Sequence, residues 1–296
     1  MNYQEVETTV CRLQSLISKK YVFPEVAEEI CEHIATKLES QIYKSVTTSE
    51  ELANILTVDM QSINRDKHLT IQVNENLVKE INLSVRSERF QDEPERPNAG
   101  FEEISIIDGN VGYLKLTEFA DTKYAGDIAV DAMQQLVGCD SVIFDLRENG
   151  GGSPKMVQLL TTYLFDHEPV HLNDFYMRET KSLDQFWVLP YVPGTRLDAA
   201  DVYILTSKET FSAAEEFCYN LQNLKRGKVI GEVTGGGAHP GDVHALNEEL
   251  VVFIPHGRAI NPISGDNWEG IGIQPDILVK ADEAFKTALN LAKPHR

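Results

Sequence analysis

A chain of 296 residues, 42% hydrophobic and 25% charged, has room for one large globular domain or two ordinary ones. Its 46 Asp and Glu against 27 Lys and Arg give a formal charge of −19, a field that repels nucleic-acid phosphates and anionic membrane surfaces, so both partners are excluded. Cys11, Cys31, Cys139 and Cys218 are too dispersed for a zinc site, and no apolar run approaches a membrane span. The opening residues, Met1-Asn-Tyr-Gln-Glu-Val-Glu, carry no basic, apolar leader pattern, and the expectation is a cytoplasmic location.

The first 65 residues read as helices. Val6, Val10, Leu13, Leu16 and Ile17 recur at helical spacing, Pro24 marks a fresh start, and Val26, Ile30, Ile34 and Leu38 continue the stripe. Thr48-Ser-Glu-Glu51 has the form of a capping box opening a third helix through Leu52, Ile55, Leu56 and Met60. Beyond Asp66-Lys67-His68 the pattern changes to alternation at Leu69, Ile71 and Val73, a strand. The charged, Pro-rich stretch 85–100 predicts a surface loop or hairpin. Strands follow at 104–107 and 111–116 about a turn at Gly109-Asn110, then a helix at 124–137, a strand at 141–146 and a helix at 154–165. A strand at 201–206, a helix at 212–224 and strands near 228–233, 243–246 and 250–254 complete the series. This places a helical domain at 1–65 and an α/β core at 66–296.

Two segments carry the chemistry. Strand Ser141-Val-Ile-Phe-Asp145 runs into Leu-Arg-Glu-Asn149-Gly150-Gly151-Gly152, and Ser153-Pro154 suits the N-cap and first position of a helix. Three glycines let backbone N–H groups approach a bound group, with the positive helix end behind them, so the turn is an oxyanion or anion cradle. No Lys-Ser or Lys-Thr follows at P-loop spacing, and Ser153-Pro154-Lys155 breaks the dinucleotide pattern. The second segment is Thr210-Phe-Ser212-Ala-Ala-Glu215, where Ser212 opens a helix directly after a strand. A hydroxyl there is either a plain N-cap or a nucleophile whose developing oxyanion the neighbouring N–H groups hold.

Taken together, Gly112-Tyr-Leu-Lys-Leu-Thr-Glu-Phe119, Val142 to Gly152, Thr210 to Glu215, Gly231-Glu-Val-Thr-Gly-Gly-Gly237 and Glu269-Gly-Ile-Gly-Ile-Gln-Pro-Asp276 resemble the C-terminal-processing (tail-specific) serine peptidase family over roughly 100–280. The resemblance implies a crotonase-like (ClpP/crotonase) β-β-α catalytic core, here behind a helical N-terminal domain. Where the bacterial Ser–Lys dyad would place its lysine this sequence has Gly237. The chain is more similar to the branch of the tricorn core and the interphotoreceptor retinoid-binding protein modules, and too few residues separate His68 from Gly112 for an inserted PDZ domain. That branch implies Ser212 as nucleophile, His68 as general base and Glu269 as its support, with Gly150 or Gly151 and Ala213 as oxyanion donors.

One departure is Lys67, where the tricorn core has a Ser linking His to Glu, because an ammonium accepts no hydrogen bond from imidazole. His239, His244 and His256 are rival bases that read as structural or exposed. Asp145 and Arg147 read as a pair that shapes the glycine turn, and Phe175, Tyr176, Phe186, Trp187 and Tyr191 either cover the core or line a pocket. The expected function is a serine-type peptidase acting on a peptide or protein without metal or organic cofactor, and a homo-oligomer is compatible with it. The competing expectation is a non-catalytic carrier of retinoid, fatty acid or peptide on the same fold.

Overall fold

The computed structural model describes residues 1–84, 98–107 and 110–292. Most of the segment expected as a surface loop, 85–97, and Gly109 of the expected hairpin turn lie outside the described residues. In chain order the elements are α1 (Tyr3–Lys20), α2 (Pro24–Glu39), α3 (Ser49–Asn64), β1 (Thr70–Val73), α4 (Glu75–Ser84), β2 (Phe101–Ile107) and β3 (Val111–Leu116). Then follow α5 (Thr122–Gln135), β4 (Ser141–Asp145), α6 (Pro154–Thr162), β5 (His171–Met177), β6 (Ser182–Trp187), β7 (Asp201–Thr206), α7 (Ala213–Asn223) and β8 (Gly227–Gly231). The chain continues through β9 (Gly241–Ala245), β10 (Leu250–Pro255), β11 (Gly257–Ile260), β12 (Ile277–Leu278) and α8 (Ala281–Ala292). The result is a mixed α/β fold with a helical N-terminal region. Among the described residues no helix is long and apolar enough to cross a membrane.

The described residues pack as two units. One contains 1–84 with Phe175–Asp184 and His239–Ala259; the other contains 98–174, 185–238 and 260–292. In the first, Val6, Val10, Leu13 and Ile17 of α1 are buried against Ile30 and Ile34 of α2 and Leu52, Leu56 and Met60 of α3. Pro24 starts α2 where its missing N–H has no helical partner to lose. The Thr48 side chain accepts from Glu51 N as expected, but the Glu51 carboxylate accepts from Thr47 N at 3.0 Å, one residue before the cap. An antiparallel sheet in the order β1-β10-β9 closes this core, with Ile71 paired to Val252.

The second unit is built on a six-stranded sheet in the order β12-β8-β7-β4-β3-β2. Pairings from β3 through β12 are parallel, and only β2 runs antiparallel at its edge. Lys115, Asp145, Leu205 and Ile230 lie in one register row, so β3, β4, β7 and β8 end side by side. In parallel α/β sheets that carboxyl edge is where ligand sites form, because loops and helix N-termini converge there. On one face α8 buries Ala284, Ala288 and Ala292 against Ile143, Leu205 and Ile230, small side chains allowing a close approach. Elsewhere in this unit Phe217 of α7 meets Phe144 of β4 at 5.1 Å between ring centroids and Phe119 at 5.7 Å. The expected Asp145–Arg147 pair is present: Arg147 donates to both Asp145 oxygens at 2.8 and 2.5 Å and to Ala281 O at 2.8 Å, tying the turn after β4 to α8.

Helix α7 also buries Glu216, 2% exposed, among Asn173, Asn220 and Asn261, each fully buried. Asn173 donates to it at 3.3 Å. Burial lifts the carboxyl to about 8, and the bond from Asn173 pulls it back only in part. The folded chain therefore retains a proton that the unfolded chain releases near its ordinary value of 4.5. Stability contributed by this group falls as pH rises between those values and is flat above them. Glu216→Gln, neutral at every pH, is expected to raise Tm at pH 8.5 by roughly 3 °C or more and to leave it nearly unchanged at pH 4.5, measured by thermal unfolding at both pH values.

Candidate active site

The glycine turn is pinned from below. Asn149, fully buried, donates through Nδ2 to Leu116 O at 2.9 Å and accepts at Oδ1 from Gly151 N at 2.9 Å, while its carbonyl accepts from Phe211 N at 3.0 Å. Phe119 N donates to Gly151 O at 2.8 Å and Ser153 N donates to Phe119 O at 2.6 Å. Gly151 (φ 111°) and Gly152 (φ 136°) hold conformations that L side chains rarely adopt. A Cβ on Gly152 would stand 2.3 Å from Phe119 O, and one on Gly151 would stand 2.7 Å from Ser212 Cβ. The turn thus lies flat against the start of α7, as only glycine permits. Ser153 caps α6, its side chain accepting from Lys155 N at 3.3 Å.

Ser212 sits at the N-cap of α7 with φ 54° and ψ −120°, a backbone conformation rare outside glycine. Strain of this kind persists only where the surroundings over-determine it and concentrates at functional turns. Thr210 anchors the approach: its hydroxyl donates to Leu146 O at 2.8 Å and accepts from Ser207 N at 2.9 Å. Ser212 N donates to the carboxylate of Glu215 at 2.9 Å. The N–H groups of Gly150 and Ala213 make no hydrogen bond to another described residue. Gly150 is exposed, with open space where a side chain would be. The Gly151 N–H, by contrast, is engaged by Asn149.

Glu269 belongs to the same unit. Its Oε2 accepts from Ala238 N at 2.5 Å and its own N–H donates to Asn267 Oδ1 at 2.9 Å. The 236–238 and 268–270 segments are laced further by Trp268 Nε1 to Gly237 O at 2.7 Å and Gly270 N to Gly236 O at 2.9 Å. Ser212, the glycine turn, Ala213 and Glu269 are therefore carried by one packed body.

His68 belongs to the first unit. It is half-buried, its ring 5.3 Å from that of Phe253, and its backbone N–H donates to Asp66 Oδ1 at 3.1 Å. Asp66 is fully buried, and its other oxygen accepts from Tyr21 OH at 2.8 Å and meets His239 Nδ1 at 2.8 Å. Burial opposes ionisation of Asp66, but the bonds from His239 and Tyr21 and the charge of His68 outweigh it and hold the carboxyl below its usual range. His239 is 5% exposed and locked by this carboxylate. His256 pairs instead with Asp242 at 3.0 Å, and desolvation with nearby Lys20 lowers the proton affinity of His244. Sequence reading passed over Asp66, Glu215 and Asn149. The only signal was their spacing, two residues before His68, three after Ser212 and one before the glycines. The aromatic stretch divides: Phe175 is buried, Trp187 stacks on His171 at 4.3 Å, and Tyr191 is 76% exposed.

Residues 110–279 match the family model described as peptidase family S41, and residues 3–100 match the N-terminal domain of peptidase S41 in eukaryotic interphotoreceptor retinoid-binding protein. A carboxy-terminal-processing protease of Bartonella bacilliformis is 26% identical over 180 residues, 59% of this chain and 40% of the relative. The chain thus spans less than half of that protein's length. Among solved structures, the tricorn protease superposes with a TM-score of 0.62 at 16% identity, over 99% of this chain and 36% of the other. The photosystem II D1 C-terminal processing protease superposes with a TM-score of 0.57 at 14% identity, over 94% of each chain.

Replacing Asp66 by Asn leaves His239, Tyr21 and the His68 amide sharing one neutral acceptor. Asp66→Asn is expected to cost roughly 3 kcal/mol of stability at pH 7 in urea unfolding. Because the native carboxyl is depressed, its contribution is present above the unfolded value of 3.8 and is lost as pH falls below it. The gap between wild type and variant should therefore shrink in acid.

Proposed function

This chain belongs to peptidase family S41, and we propose that it hydrolyses peptide bonds by a serine-type mechanism with Ser212 as nucleophile. The observation that carries this reading is the strained Ser212 turn, set against Gly151 and flanked by the open N–H groups of Gly150 and Ala213. A nucleophile raised on a tight strand-to-helix turn is exposed to substrate while its own position is fixed, and N–H groups beside it stabilise charge only as it develops. His68 is the general base and Glu269 supports it. Gly150 and Ala213 are the oxyanion donors, since the Gly151 N–H is already committed to Asn149. The core is of the crotonase-like β-β-α kind, for which parallel strands alternating with helices speak.

In the first step Ser212 Oγ bonds to the peptide carbonyl carbon as His68 takes the hydroxyl proton. The oxyanion so formed lies between the Gly150 and Ala213 N–H groups. Collapse breaks the C–N bond, His68 returns the proton to the leaving amine, and an acyl-enzyme remains. Water, deprotonated by His68, then attacks the ester carbon and releases the acid and Ser212. No metal or organic cofactor enters. The substrate is a peptide or protein, for which processing near a carboxyl terminus, as the name of the Bartonella relative describes, is the first class to try.

The competing reading, a carrier on the same fold, draws on Lys67 in place of a hydrogen-bond relay beside His68. A fluorophosphonate probe separates the two. Adduct formation on Ser212, absent in Ser212→Ala and reduced at least a hundredfold in His68→Ala, is the expected result. A folded protein that takes no label but retains an apolar ligand would support the carrier.

A further inference from the structure

Glu215 is a fully buried carboxylate three residues beyond Ser212. Burying a carboxylate is costly unless donors surround it. Four do. Ser212 N donates to Oε2 at 2.9 Å and Gly237 N to the same oxygen at 2.8 Å. Gly236 N donates to Oε1 at 2.7 Å, and the Thr234 hydroxyl donates to that oxygen as well. An ordinary helix-capping Glu accepts a single N-cap N–H. Here three further donors come from a segment some twenty residues onward, which is more than a cap requires.

The segment that Glu215 grips leads directly to Glu269. Ala238, the next residue after Gly237, donates to the Glu269 carboxylate, and Thr234 Oγ1 also accepts from Ile273 N at 2.7 Å. Gly235 N donates to Thr210 O at 3.0 Å, and a Cβ on Gly235 would stand 2.7 Å from the Phe211 ring. The 234–238 segment is therefore held at one end to the turn before Ser212 and at the other to the loop bearing Glu269. Without an internal acceptor the N–H groups of Ser212, Gly236 and Gly237 would be orphaned together, each at a cost of about 1–3 kcal/mol.

We propose that Glu215 is a positioning residue: its carboxylate fixes the strained backbone of Ser212 and couples it to the loop that carries Glu269. It touches no substrate. Its effect is on the angle at which Ser212 Oγ is presented to the carbonyl and on the place of the Ala213 N–H beside it. This rests on the reading of Ser212 as nucleophile. Burial raises the Glu215 carboxyl above its usual value, and the bonds from Thr234, Gly237, Gly236 and Ser212 limit that rise.

Glu215→Gln keeps size and shape but turns an NH2 toward two N–H donors that need an acceptor. In the full chain, the fluorophosphonate labelling rate of Ser212 should fall by about a hundredfold, the scale of an ångström-level misplacement. On a cleaved peptide kcat should fall by a similar factor with KM nearly unchanged, and hydrogen exchange at the Ser212, Gly236 and Gly237 amides should accelerate. Thr234→Ser, which retains the hydroxyl, should stay within about twofold of wild type, whereas Thr234→Val should lose about tenfold. Wild-type labelling and amide protection in Glu215→Gln would overturn the proposal while leaving Ser212 as nucleophile. A wild-type protein that takes no label, or a label that persists in Ser212→Ala, would remove the nucleophile and this role with it. Should Glu215→Gln fail to fold, Thr234→Val decides alone, and an unchanged labelling rate in it overturns the proposal.

Discussion

A close backbone approach at the carboxyl edge of the parallel sheet is the constraint on which the candidate site depends. Gly151 lies so near Ser212 that a single added carbon would stand 2.7 Å from its Cβ, and Gly152 lies still nearer Phe119 O. Adjacent parallel strands end in one register row, so the turns leaving β4 and β7 must share a narrow strip. Glycine at one turn and a small serine at the other let them share it. The open N–H groups of Gly150 and Ala213 lie beside this packing, in which Phe211 N donates to Asn149 O and the Thr210 hydroxyl donates to Leu146 O.

Buried carboxylates organise each unit, and they do so in different ways. Asp145 is held ionised by Arg147 and Tyr113 and ties the strand end to α8; burial works against its charge, but those partners prevail and lower its carboxyl. Glu215 gathers backbone donors from two loops. Glu216, one residue later on α7, instead accepts from the side-chain amide of Asn173, and burial lifts its carboxyl to about 8. Neighbours in sequence thus differ in setting, one facing a ring of N–H groups and the other side-chain amides, while burial raises both carboxyls.

In the first unit Asp66 has the organising role. It accepts from the end of α1 through Tyr21, from the His68 backbone and from His239, residues far apart in the chain. Their shared acceptor makes the setting of His68 a property of the whole helical unit rather than of its own loop. It also accounts for His239, which read as structural from sequence and is buried as a partner of Asp66.

Much of this was legible in the chain itself. Helical periodicity located α1 to α3, apolar runs located β4 and β7, and the glycine triplet with Ser153-Pro154 marked a strand-to-helix turn, since each rests on local preferences. Elements such as α4, β5, β6 and α8 escaped because their apolar positions are few or their burial comes from distant partners; α8 packs through alanines that carry little signal. The motifs shared with S41 peptidases pointed to the family and proposed the candidate residues, for motif chemistry is written in residue type and spacing. Which glycine N–H stays open, which of two adjacent glutamates is gripped by donors, and which histidine Asp66 binds were decided only by tertiary structure, because hydrogen-bond partners and desolvation arise from segments that meet only on folding.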